Sequence, residues 1–255
     1  MTKTDAKNLL TVVFITFNEE DNILRSLKAV KTIADEIIVL DSFSTDQTVA
    51  IAENYGAQVI QRTWEGYAAS KNYLNRLAQT DYVLSLDADE VLSEELQQEI
   101  LIEKAKGFKG VYSINRLTNY CGRWIKHGGW YPDNKPRLFN KKECYWEGEF
   151  VHETLFIPKH VKVRVLTSDC YHYTYKDEKD HRDRAEKYAI LTANKLLSQG
   201  KKISALKPYF SAVARFTGMY LFKLGFLDGV SGYKIAKISG WCNWVKYKEL
   251  RRITK

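Results

Sequence analysis

Tyr82-Val83-Leu84-Ser85-Leu86-Asp87-Ala88-Asp89 is a mostly apolar run that ends in two carboxylates two positions apart. It reads as a buried strand whose C-terminal edge carries Asp87 and Asp89, the edge at which an open α/β sheet binds its ligand. Oxygen donors of this hardness suit Mg2+ or Mn2+, and a divalent ion neutralises a diphosphate. The pair points to a nucleotide-sugar site. A plainer alternative, in which the two carboxylates only cap the next helix, stays open at this stage.

The residues upstream repeat the same strand-then-helix rhythm. Positions 10–15 form a continuous apolar strand, and Asn18 is placed to cap a helix with Glu19, Glu20 and Asp21 in its first turn and Ile23, Leu27 and Val30 on one face. Positions 37–40 make a second strand that stops at Asp41. Ser44-Thr45-Asp46-Gln47 has the form of a capping box before a helix closed by Gly56. A third strand over 57–61 leads through Gly66 to a helix carrying Lys71, Asn72 and Arg76. This alternation predicts an α/β fold with a mostly parallel sheet and crossover helices. Glu19, Asp41, Lys71, Asp87 and Asp89 then meet at one rim, with carboxylates for a base and ribose and a cation for phosphate. Each has a structural alternative: a helix-dipole partner for Glu19, a cap for Asp41, a solvated helix position for Lys71.

Composition is that of a globular chain, because 255 residues with 45% hydrophobic and 27% charged content can bury one substantial core. Cys121, Cys144, Cys170 and Cys242 follow neither a disulfide framework nor a metal-binding spacing, and no basic segment followed by an apolar one opens the sequence. A reducing cytoplasm is the expected compartment. Charge is divided unevenly: from Arg182 onward there are 16 Lys and Arg against 4 Asp and Glu, so a net +8 chain carries +12 in its tail and −4 before it. A nucleic-acid surface is one explanation, but Tyr209, Phe210, Phe216, Tyr220, Leu221, Phe222, Phe226 and Leu227 are interleaved with that charge, a mixture that suits an anionic bilayer at least as well, and no nucleic-acid partner is expected.

Several stretches resemble family 2 glycosyltransferases with a GT-A fold. They are Thr16-Phe17-Asn18-Glu19-Glu20, Val39-Leu40-Asp41-Ser42-Phe43-Ser44-Thr45-Asp46-Gln47-Thr48, Lys71-Asn72 and Leu86-Asp87-Ala88-Asp89-Glu90. Further along, Arg123-Trp124-Ile125-Lys126-His127-Gly128-Gly129-Trp130-Tyr131-Pro132-Asp133, Arg137-Leu138-Phe139, Val151-His152-Glu153, His172-Tyr173-Thr174-Tyr175 and Gly225-Phe226-Leu227-Asp228-Gly229 resemble a narrower branch. That branch adds β-1,4-glucose to an inner-core heptose of bacterial lipopolysaccharide.

The resemblance implies an inverting transferase that moves a hexose, glucose from UDP-glucose, to a lipid-linked or lipopolysaccharide acceptor, using Mn2+ or Mg2+. It implies Asp89 as the firm metal ligand with His172 completing the shell, and an imidazole ligand tilts the choice towards Mn2+. Phe17, Glu19, Asp41, Lys71, Asp87 and Arg137 fall on the nucleotide-sugar side, Asp87 nearer the ribose or a metal-bound water. Inverting transfer needs a base for the acceptor hydroxyl. Glu153 is favoured and Asp133 is its rival, while Trp130 and Tyr131 beside Asp133 supply rings to stack on sugar faces. Structural alternatives stand beside these roles: an ion pair with Arg137 or Arg164 for Glu153, a scaffold pair for Arg137, a core position for Trp130. A ligand role for His127 or His152 is disfavoured against a hydrogen-bonded structural one.

The expected organisation is a GT-A domain over 8–176, with a nucleotide-binding half at 8–90 and an acceptor half at 91–176, followed by a basic amphipathic helical region over 177–255. A helix is expected over 184–197, ending at Gln199-Gly200. The apolar region 209–230 carries Arg215, Lys223 and Asp228 and is broken by Gly218 and Gly225, so it fails as a spanning segment and reads as an in-plane attachment. Packing of these helices on the sheet or on another subunit is the alternative, which leaves a homo-oligomer open. The protein is thus expected to be peripheral on the inner face of a bacterial inner membrane. A nicotinamide-dependent oxidoreductase is excluded by Asn18-Glu19-Glu20 standing where a glycine-rich turn is needed. A non-catalytic sugar-nucleotide or membrane-surface module, or a transferase acting on another glycan or a protein, remains the alternative.

Overall fold

A computed structural model of the chain describes residues 8–148 and 153–254. The described residues fall into two compact units. One runs to Arg116 and resumes over Asp133–His172; the other takes Leu117–Pro132 and the chain from Tyr173 onward.

The first unit is built on parallel strands β1 (Leu10–Thr16), β2 (Glu36–Asp41), β3 (Gln58–Gln61) and β4 (Tyr82–Asp87), in the order β3-β2-β1-β4. Crossover helices α1 (Ile23–Val30), α2 (Thr48–Asn54) and α3 (Tyr67–Leu77) join them. Successive side chains of a strand point to opposite faces, and the core divides accordingly. Leu10, Val12, Phe14 and Leu84 pack with Ile23 and Leu27 of α1 and with Leu96 and Ile100. Val13, Ile38, Leu40 and Val83 pack with Leu74 and Ala78 on the other side. Both faces are covered at β1, β2 and β4, which is why these strands read as mostly apolar runs, while the edge strand β3 keeps Gln58 and Gln61 exposed. Full burial stabilises each large side chain by roughly 1.5–3 kcal/mol.

After β4 come β5 (Glu90–Leu92), α4 (Glu94–Ala105), β6 (Val111–Tyr120), β7 (Arg123–Trp124) and β8 (Asp133–Asn140). Then follow β9 (Tyr145–Glu147), β10 (Thr154–Phe156) and β11 (Val163–Tyr175). The sheet continues past β4 as β8-β6-β11-β5, with β8 antiparallel to β4 and to β6, and β5 antiparallel to β11; β9 and β10 form a separate pair. This α/β sheet with crossover helices is the expected class.

Two expected caps are replaced by something else. Asn18 adopts a left-handed conformation at φ +54, and its side chain accepts from Thr45 N at 2.8 Å while its own N–H donates to Ser44 Oγ at 2.8 Å. Asparagine tolerates that backbone, so it ties the loop after β1 to the loop after β2, and α1 begins only after Asn22. Ser44 makes no capping box either: its N–H and hydroxyl both go to Asp41, and α2 starts four residues later. Gly56 closes α2 as expected, at φ +88.

The second unit holds α5 (Glu178–Ser198), α6 (Lys207–Thr217), a π turn over Gly218–Phe222, a 3-10 turn over Gly225–Asp228, and α7 (Gly229–Thr254). Helix α5 starts six residues earlier than expected because Asp177 caps it, accepting from Asp180 N at 2.7 Å. The apolar region is interrupted at Gly218 and Gly225, as its glycines indicate. Segment 117–132 groups with these helices and not with the domain expected over 8–176. The physical reason is burial: Tyr120 and Ile125 form one apolar cluster with Met219, Ile235 and Ala236.

Candidate active site

The register of the parallel strands places the rim. Thr16 pairs with Asp41 and Ile15 with Asp87, so the two residues flank the end of β1, their backbones two strand spacings or about 10 Å apart and their side chains on opposite faces of the sheet. Asp41 is fully buried, and both its oxygens are engaged: Thr16 Oγ1 donates at 3.1 Å, Ser44 N at 2.8 Å and Gln61 Nε2 at 3.2 Å, and the Ser44 hydroxyl donates as well. It organises a loop that leaves Phe43 exposed, while Phe17 stands exposed just after β1. Glu19 accepts from Asn22 Nδ2 at 2.7 Å, and its N–H donates to Thr48 Oγ1 at 2.7 Å.

Around Asp87 the chain builds an ion network. Lys71 is wholly buried, its Nζ 3.1 Å from Asp87 Oδ1, 3.2 Å from Glu153 Oε1 and 4.7 Å from the centre of the Trp146 ring. Helix α3 fixes this side chain through the next residue, since Asn72 exchanges two hydrogen bonds with the Trp146 backbone at 2.7 and 2.8 Å. Arg137, buried on β8, gives Nη2 to Asp87 at 2.8 Å and to Glu90 at 2.6 Å. Glu90 also accepts from Arg116 Nη1 at 3.1 Å and from Asp87 N at 3.1 Å. Arg116 in turn holds Asp133 through Nε at 2.9 Å and Nη2 at 2.5 Å, with Lys135 Nζ on the same carboxylate at 3.0 Å.

Burial by itself would raise these carboxyl pKa values. Lys71 and Arg137 outweigh it at Asp87, Arg137 and Arg116 at Glu90, and Arg116 and Lys135 at Asp133, so all three are held below the usual range. Burial works against the Arg137 charge, but Glu90 and Asp87 reverse the effect and keep the guanidinium firmly protonated.

Asp89 lies outside that network. Strand pairing sets His172 opposite Glu90, which brings His172 Nε2 to 3.4 Å from Asp89 Oδ2. Burial depresses the imidazole pKa, and the Asp89 carboxylate more than restores it. Asp87 is committed to Lys71 and Arg137, whereas Asp89 and His172 face each other, one oxygen and one nitrogen 3.4 Å apart. Among the described residues no group of three His, Cys, Asp or Glu side chains converges on a metal position. A two-donor set of this kind fits a divalent ion whose remaining ligands come from a diphosphate and water.

Of the other expected residues, Glu153 joins the network through Lys71 and pairs with neither Arg137 nor Arg164. Trp130 sits in an aromatic cluster of the second unit, its ring centre 6.0 Å from Tyr120, 5.9 Å from Tyr175 and 5.8 Å from His181. Tyr131 precedes a cis peptide bond to Pro132. His127 is structural: its Nδ1 lies 3.0 Å from Asp228 Oδ1, and its N–H donates to Asp228 Oδ2 at 2.8 Å. His152 lies outside the described residues. Sequence reasoning missed Glu90, Arg116 and Trp146 as members of the site. Glu90 was adjacent to Asp89 in plain view, but nothing local marks Arg116, whose partners come from β5 and β8.

Residues 11–161 match glycosyl transferase family 2. An uncharacterized glycosyltransferase of Rickettsia conorii is 31% identical over 263 residues, which cover 95% of this chain and 89% of the relative. The lipopolysaccharide core biosynthesis glycosyltransferase LpsC of Rhizobium meliloti is 24% identical over 237 residues, covering 88% and 85%. Among solved structures, glucosyl-3-phosphoglycerate synthase from Mycobacterium tuberculosis, in complex with Mn2+, UDP and glucosyl-3-phosphoglycerate, aligns at 23% identity and a TM-score of 0.36 over 45% of this chain and 46% of that one.

Proposed function

The chain belongs to glycosyl transferase family 2, with a GT-A α/β fold, and we propose that it transfers a hexose, glucose from UDP-glucose, with inversion, onto a membrane-linked saccharide, the inner core of lipopolysaccharide. The observation that carries this reading is the Asp89–His172 pair standing beside the Asp87–Lys71–Arg137 cluster at the strand ends. The relation to LpsC supports the acceptor. The protein works as a peripheral enzyme at the inner face of the inner membrane.

Asp89 and His172 are the residues to hold Mn2+ or Mg2+, and such an ion supplies positive charge to the departing diphosphate. Lys71 and Arg137 fix Asp87 in one orientation on the nucleotide side, and Asp41 and Glu19 shape the loops that carry Phe17 and Phe43. In the transfer step the acceptor hydroxyl oxygen bonds to the anomeric carbon from the face opposite the UDP oxygen. The carbon–oxygen bond to UDP breaks, UDP leaves with the electron pair, and Glu153 takes the hydroxyl proton. Asp133 is less suited to that task because Arg116 and Lys135 both sit on its carboxylate and lower its basicity. Among the described residues Glu153 pairs with one cation, Lys71, which also steers it. Trp130 and Tyr131 are assigned to the acceptor sugars.

A panel of sugar nucleotides with purified protein, Mn2+ or Mg2+ and a lipid-linked saccharide tests the reading through release of the nucleoside diphosphate. Asp89→Ala should abolish metal-dependent release, and Glu153→Gln should keep donor binding while losing transfer. If Asp133→Asn shows that second behaviour and Glu153→Gln does not, the base is Asp133. No donor consumption under any combination overturns catalysis itself.

A further inference from the structure

Helix α6 and the turns after it carry an apolar surface that is exposed among the described residues of the second unit. Leu206, Tyr209, Phe210 and Val213 are exposed and follow the i, i+3, i+4, i+7 spacing of one helical face. The opposite face is occupied by α7: Asn243 Nδ2 donates to the Ser211 carbonyl at 3.5 Å, and a methyl group on Gly240 would meet the Ala212 carbonyl oxygen at 3.0 Å. Beyond the helix, the π and 3-10 turns expose Leu221, Phe222, Phe226 and Leu227, and the first turn of α7 adds Val230, with Phe222 at 84% and Val230 at 71% of full exposure. This corner is held in place rather than hanging free. Gly232 of α7 lies so close to the 3-10 turn that a methyl group there would stand 1.9 Å from the Gly225 carbonyl oxygen.

The charge carried by this segment has one sign. No acidic residue occurs between Glu186 and Asp228, and Asp228 is buried against His127. Lys201, Lys202, Lys207, Arg215 and Lys223 are all exposed in the same segment. Lys201 and Lys202 precede the apolar face of α6 and Lys223 stands between the two turns that follow it, so cations flank the apolar groups. Long basic side chains lay their stems on apolar surface and keep the charged ends among phosphates. Among the described residues no helix is long and apolar enough to cross a membrane.

We propose that this surface seats the protein on an anionic phospholipid bilayer, with α6 lying in the plane of the interface, the 218–230 corner entering the acyl region, and Lys201, Lys202 and Lys223 at the level of the lipid phosphates. This gives residues to the membrane side of the reading above, and none of them belongs to the transfer site, so the two can fail separately. The test is flotation of the full chain with vesicles of phosphatidylglycerol and phosphatidylcholine in equal parts, against vesicles of phosphatidylcholine alone. Binding should favour the anionic vesicles and weaken between about 0.1 M and about 0.5 M salt. Phe222→Ser with Leu227→Ser should weaken it by about tenfold or more, and Lys201→Glu with Lys202→Glu should remove the preference for anionic lipid. Release of nucleoside diphosphate with a soluble acceptor fragment should stay at the wild-type level in both variants, and so should their thermal midpoints. Equal flotation of wild type and the apolar variant overturns the proposal. So does sedimentation of the lipid-free protein as a dimer that the same apolar substitutions dissociate, because a second copy then covers the surface.

Discussion

Glu90 is completely buried and carries its charge into the interior only because Arg137, Arg116 and the Asp87 N–H all donate to it, at 2.6, 3.1 and 3.1 Å. Glu90→Gln keeps the volume and removes the charge, and it turns an amide NH2 group towards guanidinium donors. Removing one partner of a buried ion pair costs about 3–5 kcal/mol. Arg137 still has Asp87 and Arg116 still has Asp133, so the lower end applies, about 3 kcal/mol. For a chain of this size that lowers the thermal midpoint by roughly 6–12 °C. Urea unfolding at neutral pH measures the loss directly, and its pH dependence supplies an independent sign. Asp87 and Glu90 both have folded-state pKa values below their unfolded ones. Their stabilisation is therefore fully present above the unfolded carboxyl range, about pH 4–5, and is lost as the pH falls through it towards the depressed folded values. The variant lacks one of the two groups and should lose stability less steeply on acidification. A Glu90→Gln protein within about 0.5 kcal/mol of wild type at neutral pH, with an unchanged acid slope, would refute the claim that this network holds the strand ends together.

His181 titrates in the opposite sense to an ion-paired histidine. It is buried beside the Tyr120 hydroxyl, 3.2 Å from Nδ1, and burial pushes its pKa down to about 4. Its folded value lies below the unfolded one, so stability is full above about pH 6.5 and falls as the imidazole is forced to charge; by pH 5 the loss is roughly 2 kcal/mol, and His181→Gln should abolish that slope in urea titrations. Lys71→Met removes the cation shared by Asp87 and Glu153, and turnover should drop on the order of 100-fold in the diphosphate-release assay. Two glycines with similar backbones separate strain from crowding. Gly56→Ala, at φ +88 with open space around it, should cost only the conformational strain of about 1–2 kcal/mol. Gly110→Ala, at φ +77 with the Lys162 carbonyl oxygen 2.3 Å from the new methyl, should cost about 3 kcal/mol or more by chemical denaturation.

Much of the first unit was legible because its signals are local. The strands at 10–15, 37–40 and ending at Asp87 are mostly apolar runs, and such runs arise when helices cover both faces of a sheet, while the edge strand at 57–61 is polar at Gln58 and Gln61. The misread positions have a common cause. Asn18 and Ser44 have the composition of helix caps, but their polar groups are taken up between the loops after β1 and β2 and by Asp41, and a local rule contains no term for that competition. The site was legible in part for the same reason: Asp87 and Asp89 announce themselves at a strand end, while the difference between them does not.

The sequence by itself determined the α/β order, the strand-end carboxylates, the broken apolar region and the concentration of positive charge in the tail, because each depends on periodicity or composition over a few residues. Only the tertiary structure decided that Asp87 is tied to Lys71 and Arg137 while Asp89 faces His172, that Asp133 is bracketed by Arg116 and Lys135, and that residues 117–132 pack with the C-terminal helices. Those outcomes follow from strand register and side-chain packing between segments far apart in the chain. Such contacts set which charges neutralise each other and which remain available for a ligand.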